Sequence, residues 1–433
     1  MVDLAFINIW GKRVGAVSWD SDRKLATIEF EEDFVDEKID LSPIIMPLNE
    51  LTRGVKIHSF ANLSMQTFKG LPGLLADSLP DRYGNNLINE WLSIRGKSQE
   101  DFSIVERLCY IGKRGMGALE FEPSILGTED KSVLIQLEEL VDIAGQVLNK
   151  RKSMNLRLDN KYKNVVKEII RVGTSAGGAR AKAVIAVNDK TKKVRSGQVE
   201  APKGFDHWIL KFDGVADEQL GETDGFGRIE YAYSKMAEAA GVNMTECRLL
   251  EENGRAHFMT RRFDRMSGNE KIHMQTLCAI AHFDYNDPDS YSYEQLFQIM
   301  RKMKLSYADA AQMYRRIVFN VAACNCDDHT KNISFLLKQN QQWRLSPAYD
   351  VIYSYNPHGL WTKRHQMSVN KKRENIDYMD LLAIANENNI KAPKEIIDRV
   401  LEAVSSWKKY AKESGVQREK INEINRNLKL KIK

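Results

Sequence analysis

The chain has 433 residues, of which 43% are hydrophobic and 28% charged, and it carries a formal net charge of +5 at pH 7. Such a length exceeds one ordinary core and points to two or three lobes of a globular protein, while so mild a charge permits an anionic partner without demanding nucleic acid. No run of about 18 apolar residues occurs, which excludes a membrane-spanning helix, and the opening MVDLAFINIWGKRVG lacks the basic start and apolar core of a signal peptide, so the cytoplasm is the expected compartment.

Residues 1 to about 65 hold short alternating patterns, LAFINIWGKRVGAVSW and KLATIEF, which predict strands joined by hairpins. In GLPGLLADSLPDRYGNNLINEWL, Gly70, Pro72, Gly73 and Pro80 punctuate a loop ahead of a helix beginning near Asp81. The charged stretch VLIQLEELVDIAGQVLNKRKS reads as helical and leads into the linker-like MNLRLDNKYKN, which places a lobe boundary near 150 to 165. Next, RVGTSAGGARAKAVIAV (171–187) sets small residues and Gly177 and Gly178 ahead of a β-prone run, Ala183–Val187. Missing side chains let backbone N–H groups close on an anion, although a tight hairpin turn is the plainer reading. The Walker pattern is absent, because Lys182 is followed by Ala183 and a strand rather than by Ser/Thr and a helix.

In FDHWILKFDG, Lys211 interrupts the apolar run of Trp208, Ile209, Leu210 and Phe212. A buried ammonium must face an anion or reach solvent; a lysine placed on an edge strand against aggregation is the alternative. The segment NGRAHFMTRRFDR (253–265) reads as a turn at Gly254 and a strand over Ala256–Thr260 that leaves through Arg261, Arg262 and Phe263. From about 225 onward the pattern is mostly helical, as in RIEYAYSKMAEAAGV, SYADAAQMYRRIVFNVAA, YMDLLAIANE and KEIIDRVLEAVSSWKKYAKES. The five cysteines (Cys109, Cys247, Cys278, Cys324, Cys326) are odd in number and scattered, which argues against a disulfide framework. Cys324 and Cys326 are close, but no Cys/His pair stands nearby at zinc-site spacing.

One stretch defies a bland reading. FNVAACNCDDHTKNISFLL breaks an apolar segment with Asp327, Asp328, His329, Thr330, Lys331 and Asn332, a knot that costs stability unless its groups are satisfied or used. Asp327 and Asn332 are five residues apart, as in the kinase catalytic loop D-x-x-x-x-N, and Asp350 follows 18 residues later in SPAYDV after a hairpin-like ISFLLKQNQQWRLS. Phosphoryl transfer needs such a set: one carboxylate to orient the acceptor hydroxyl, and an amide and a second carboxylate to hold Mg²⁺ against phosphates.

In this order, TSAGGARAK, HWILKFDG, RRFDR, DDHTKN and SPAYDV resemble the HipA family of bacterial toxin serine/threonine kinases. GKRVGAVSWD and GLPGLLADSLPDRYG resemble the family's N-terminal subdomains, so the likeness covers nearly the whole chain, and D-x-H-x-K-N is its most specific part. The resemblance implies an α+β fold: a mixed strand and helix subdomain over 1–155, a kinase-like N-lobe over 156–265 and a largely helical C-lobe over 266–433. It implies Asp327 as the base, Asn332 and Asp350 as Mg²⁺ ligands, and Lys211 as the α/β-phosphate lysine. His329, Thr330 and Lys331 would meet ATP phosphates or developing charge, and Tyr349 would flank the nucleotide. Gly177, Gly178, Ala179, Arg180, Ala181 and Lys182 would cover ATP, and Arg261, Arg262 and Phe263 would offer backbone to adenine; Arg261 replaces an acidic residue of the family, which a backbone contact tolerates. Ser175, with Thr174 beside it, matches an autophosphorylated serine.

Known members of the family pair with a small helix-turn-helix antitoxin, HipB, through which the complex binds operator DNA. Their substrates include an aminoacyl-tRNA synthetase, whose phosphorylation starves translation and produces dormancy. Two other classes share the same residues: a kinase of a small molecule or lipid, and a silent scaffold in a DNA-bound repressor complex. The intact set of Lys211, Asp327, Asn332 and Asp350 argues against silence.

Overall fold

The computed structural model describes residues 2–100, 102–125, 180–215, 225–266 and 269–432, together with Leu134. The predicted charged helix, the linker with its boundary near 155, Thr174, Ser175, Gly177, Gly178 and Ala179 lie outside the described residues. The chain divides into two compact units: Met1–Ser42, Met46–Gly227 and Arg248–Met274 form the first, and Pro43–Ile45, Arg228–Cys247 and Gln275–Lys433 the second. Strands and helices are mixed along the chain, with the largely helical part after Thr276, as the expected α+β class requires.

The first unit opens with strands β1 (Leu4–Ile9), β2 (Lys12–Asp20), β3 (Leu25–Phe30), β4 (Ile57–His58) and β5 (Leu119–Glu122), in the order β4-β3-β2-β1-β5. Their alternation is the cause of the sheet's sidedness: Ala5, Ile7 and Ile9 of β1 are fully buried while the residues between them are not. Gly15 of β2 is obligatory for close approach, because a Cβ there would lie 1.9 Å from the Glu29 carbonyl oxygen of β3. The helix Arg82–Ile94 starts just after Asp81, and its Tyr83, Leu87, Ile88 and Trp91 form one apolar stripe.

That stripe belongs to a core shared with the unit's second sheet, made of β6 (Lys182–Asn188), β7 (Lys193–Ser196), β8 (Asp206–Lys211), β9 (Cys247–Glu252) and β10 (Arg255–Arg261) in the order β7-β6-β8-β10-β9. Trp208 and Leu210 of β8 join Ala183, Ile185 and Met259 in this core. By the two-residue period, Lys211 stands on the opposite face. β8 is the central strand, so Lys211 is no edge-strand guard.

The chain passes into the second unit for the last time within β11 (His273–Thr276). That unit contains the helices Tyr293–Lys302, Tyr307–Ala323, Tyr378–Glu387, Pro393–Ser405, Trp407–Glu413 and Arg418–Asn427, most of Phe226–Ala239, and a hairpin of β12 (Ser334–Leu337) and β13 (Arg344–Leu345). Tyr233 stands at its centre, with Trp407 at 5.1 Å and Phe319 at 6.3 Å between ring centroids, and its hydroxyl donates to the Ala323 carbonyl at 2.8 Å. The predicted helical segment KEIIDRVLEAVSSWKKYAKES breaks at Ser406, where the Ser405 and Ser406 hydroxyls both donate back to the Glu402 carbonyl. No helix among the described residues is long and apolar enough to cross a membrane.

Candidate active site

Two elements of the second unit bring the acidic residues together. The 17-residue helix Tyr307–Ala323 starts at a capping box, with Ser306 and Asp309 each bonding the other's backbone N–H, and stops because Cys324 takes the left-handed conformation, φ 55°. The segment Asn325–His329 that follows ends in a short 3-10 turn, Thr330–Asn332, which His329 caps by accepting the Lys331 N–H on Nδ1 at 3.3 Å. Asn332 folds back through that turn: its Nδ2 donates to the Asp327 carbonyl at 2.8 Å, and its Oδ1 takes no hydrogen bond from the described residues. The Thr330 hydroxyl donates to the Phe283 carbonyl at 2.8 Å, and Tyr285 packs beside His329, with 5.4 Å between rings, and under the Lys331 ammonium at 5.1 Å.

After the hairpin the chain turns at Asp350, which sits at φ 51°, a strained position that aspartate tolerates better than most residues. The Tyr349 hydroxyl donates to the Lys331 carbonyl at 2.8 Å and touches the Ser334 hydroxyl, tying this turn to the Asp327 loop. Asp350 and Asn332 line one narrow cavity of about 20 Å³, room for about one water, together with Asn320, Asn325, Asp328 and Arg316. Arg316 is buried, and burial lowers its pKa to about 10; its guanidinium donates to the Ser346 carbonyl and so holds the approach to Asp350. Among the described residues no group of three or more His, Cys, Asp or Glu side chains gathers as a metal site.

Adjacent aspartates have opposite fates. The Asp327 side chain is 47% exposed, and the His329 imidazole Nε2 lies 3.8 Å from its carboxylate. The Asp328 side chain is 1% exposed and saturated: Oδ2 accepts from Tyr293 at 2.7 Å and from His365 Nδ1 at 2.9 Å, and Oδ1 accepts the Gln366 N–H at 2.8 Å. Burial opposes both charges of this pair, but their mutual attraction prevails; it holds the Asp328 carboxyl below its ordinary 3.8 and His365 well above its ordinary 6.5. A depressed carboxyl stabilises the fold above 3.8 and loses that contribution as pH falls through its folded value. A raised imidazole stabilises below 6.5 and loses it as pH climbs towards its folded value. The pair is therefore strongest between these limits. We expect His365→Gln to cost on the order of 3 kcal/mol at about pH 5.5 and clearly less at about pH 9.5, read from denaturant unfolding of both proteins. A gap independent of pH would show that the pair is not ionised.

The remaining predicted residues lie in the first unit. Lys211 ends β8 with its ammonium 5.7 Å from the Phe258 ring centroid, and its direct partner across the sheet is Lys182 of β6, which is buried. Cross-strand partners share a face, so the two lysines stand side by side on it. Ala181 is part of the apolar core, and the Arg180 guanidinium stacks 3.9 Å over Phe226. Arg262 is committed to structure: its N–H donates to the His207 carbonyl at 2.9 Å, and its side chain joins Arg265 on the fully buried Asp264. Burial would raise that carboxyl, but the two guanidinium groups hold it far below the carboxylate range. Arg261 ends β10 and pairs with Asp206, and Phe263 follows in the turn beyond.

Family models match both parts of the chain: the HipA-like C-terminal domain over residues 174–408 and the HipA N-terminal domain over 5–122. The chain belongs to the HipA family. It is 25% identical over 216 residues to the Sinorhizobium fredii protein named "Putative kinase Y4dM", covering 46% of this chain and 50% of that protein. It is 27% identical over 136 residues to a Haemophilus influenzae protein named "Putative kinase", covering 28% of this chain and 40% of that one. This HipA-family chain thus spans half or less of the length of the curated relatives it matches. Its fold is that of HipA from the Shewanella oneidensis MR-1 toxin-antitoxin system, solved with HipB and operator DNA: the TM-score is 0.65 at 16% identity, over 98% of this chain and 95% of that one.

Sequence reasoning missed Tyr293, Asn320, Ser354, His365 and Arg316. Only Asn320 is a lone polar residue in an apolar run, IVFNVAA; His365 follows Lys363 and Arg364, and Arg316 follows Arg315, so no common sequence signal marks the five, and what assembles them is the fold.

Proposed function

We propose that this HipA-family chain is an ATP-dependent serine/threonine protein kinase, and the observation that carries this is the separation of Asp327 from Asp328. A base must reach its acceptor, and only Asp327 offers an accessible carboxylate; Asp328 has spent both oxygens on buried partners. Asp327 takes the proton of the acceptor hydroxyl while that oxygen forms its bond to the γ-phosphorus, and the bond to the β-phosphate oxygen breaks to release ADP. Lys211, with Lys182 beside it, would meet the phosphates, and Lys331 and His329 would offset charge near the base. The Asn332 amide oxygen and the Asp350 carboxylate on one cavity are hard oxygen donors of the kind that suit Mg²⁺, which would supply further compensation of phosphate charge.

Gly177, Gly178 and Ala179 would cover the nucleotide, Arg261 and Phe263 would flank adenine, and Ser175 would be the site of autophosphorylation. The partner we infer is a HipB-like helix-turn-helix antitoxin that neutralises the enzyme and brings operator DNA to the complex; this rests on the family and on the Shewanella assembly. The acceptor is a cellular protein, with an aminoacyl-tRNA synthetase as the first candidate, and its phosphorylation would arrest growth. The purified chain with γ-labelled ATP, Mg²⁺ and cell lysate is expected to label a protein on serine or threonine. Label confined to small molecules or lipids would replace this reading, and no transfer at all would favour the scaffold.

A further inference from the structure

The buried side of the Asp327 loop carries a closed ring of hydrogen bonds that none of the roles above uses. The Asp327 N–H donates to the Ser354 hydroxyl at 2.9 Å, and that hydroxyl donates to Asn325 Oδ1 at 3.3 Å. Asn325 Nδ2 donates to Asn320 Oδ1 at 3.0 Å, and Asn320 Nδ2 donates to the Tyr293 hydroxyl at 3.1 Å. The Tyr293 hydroxyl donates to Asp328 Oδ2 at 2.7 Å, and the peptide bond from Asp328 back to Asp327 closes the circuit. Every bond runs in the same sense, from the Asp327 amide to a carboxylate, so each donor is polarised by the next acceptor. Tyr293, Asn325 and Asp328 are buried, where an unmet polar group is costly, so the ring has little freedom to open one bond at a time.

From this geometry we infer that Tyr293, Asn320, Asn325, Ser354 and Asp328 are positioning residues that fix the backbone of Asp327, and that His365 and the Gln366 amide anchor the ring at its charged end. The side chain of Asp327 gains no partner from the ring; what it gains is a backbone held from both sides of its own Cα. A base displaced by about 1 Å can lose about a hundredfold in rate with no change in how tightly the nucleotide binds. A closed circuit has a further signature: cutting it once releases it, and cutting it again releases nothing more.

The test uses the full chain with Tyr293→Phe and Ser354→Ala, single-atom cuts at opposite points of the ring, and their double variant. The rate readout rests on the kinase reading, whereas hydrogen exchange of residues 325–332 does not. Expected is an exchange rate at least about tenfold faster in that segment for each variant, with the distant helix Pro393–Ser405 unchanged. In phosphoryl transfer, kcat should fall by about tenfold in each single variant and by about tenfold, not a hundredfold, in the double, with KM for ATP within about twofold. Unchanged exchange overturns the inference whatever the activity. So does faster exchange with unaltered kcat, or losses that multiply in the double variant. If the unmodified chain transfers no phosphate, the kinase reading falls and exchange alone decides whether the ring holds the loop.

Discussion

Asp327→Ala is expected to lower phosphoryl transfer by about 10²–10⁴ while leaving ATP affinity within about twofold, measured by single-turnover transfer and by calorimetry. In the proposed reaction the carboxylate acts on the acceptor's proton, which is not part of ATP, so the nucleotide's ground state has nothing to lose. The fold should also survive: the side chain is 47% exposed and meets the His329 imidazole at 3.8 Å, an interaction worth little in water. Asp328→Ala should behave in the opposite way. It strands the His365 imidazolium and the Tyr293 hydroxyl in a buried site, and breaking such a pair costs about 3–5 kcal/mol of stability. Neighbouring substitutions therefore separate into a rate defect and a folding defect. Wild-type transfer by Asp327→Ala, with Asp328→Ala folded but inactive, would move the base by one residue.

That one-residue question marks the limit of what the sequence carried. The strands over residues 1–65 were legible because burial on one face forces an alternation, and the helix after Asp81 because loop residues punctuate its start. The knot of Asp327 to Asn332 stood out because polar groups inside an apolar run are expensive unless met, and the fold sets Asn332 and Asp350 on one cavity. Composition could not say which of two adjacent aspartates faces solvent. The answer depends on His365, 37 residues further on, whose flanks in KRHQMSV give no hint that it is buried against a carboxylate. The edge or central position of Lys211 was hidden for a similar reason: β8 is central only because β6 and β10 both pair with it, a long-range fact that local propensity does not encode. Arg262 shows the reverse case, a residue at a functional-looking strand exit whose amide N–H, Nε and Nη2 are all hydrogen-bonded within the fold.

Removing charge at Asp350 should strike binding rather than the proton. Alanine is a poor probe here, because φ of 51° disfavours it and a loss of activity would mix strain with electrostatics. Asn tolerates that conformation and matches aspartate in shape, so Asp350→Asn isolates the charge. With Mg²⁺ present, we expect it to weaken ATP binding by about ten- to a hundredfold, because phosphate charge in a site that also contains the buried Arg316 and Asn332 loses the carboxylate share of its metal. In EDTA both proteins should bind ATP weakly and the order should no longer favour the unmodified chain: its carboxylate then only repels the phosphates, so Asp350→Asn should bind ATP at least as tightly. Calorimetry at both conditions distinguishes the terms. An Asp350→Asn protein that binds ATP as the unmodified chain does in Mg²⁺ would remove Asp350 from the metal set and leave Tyr349, through its bond to the Lys331 carbonyl, as the reason this turn is held against the Asp327 loop.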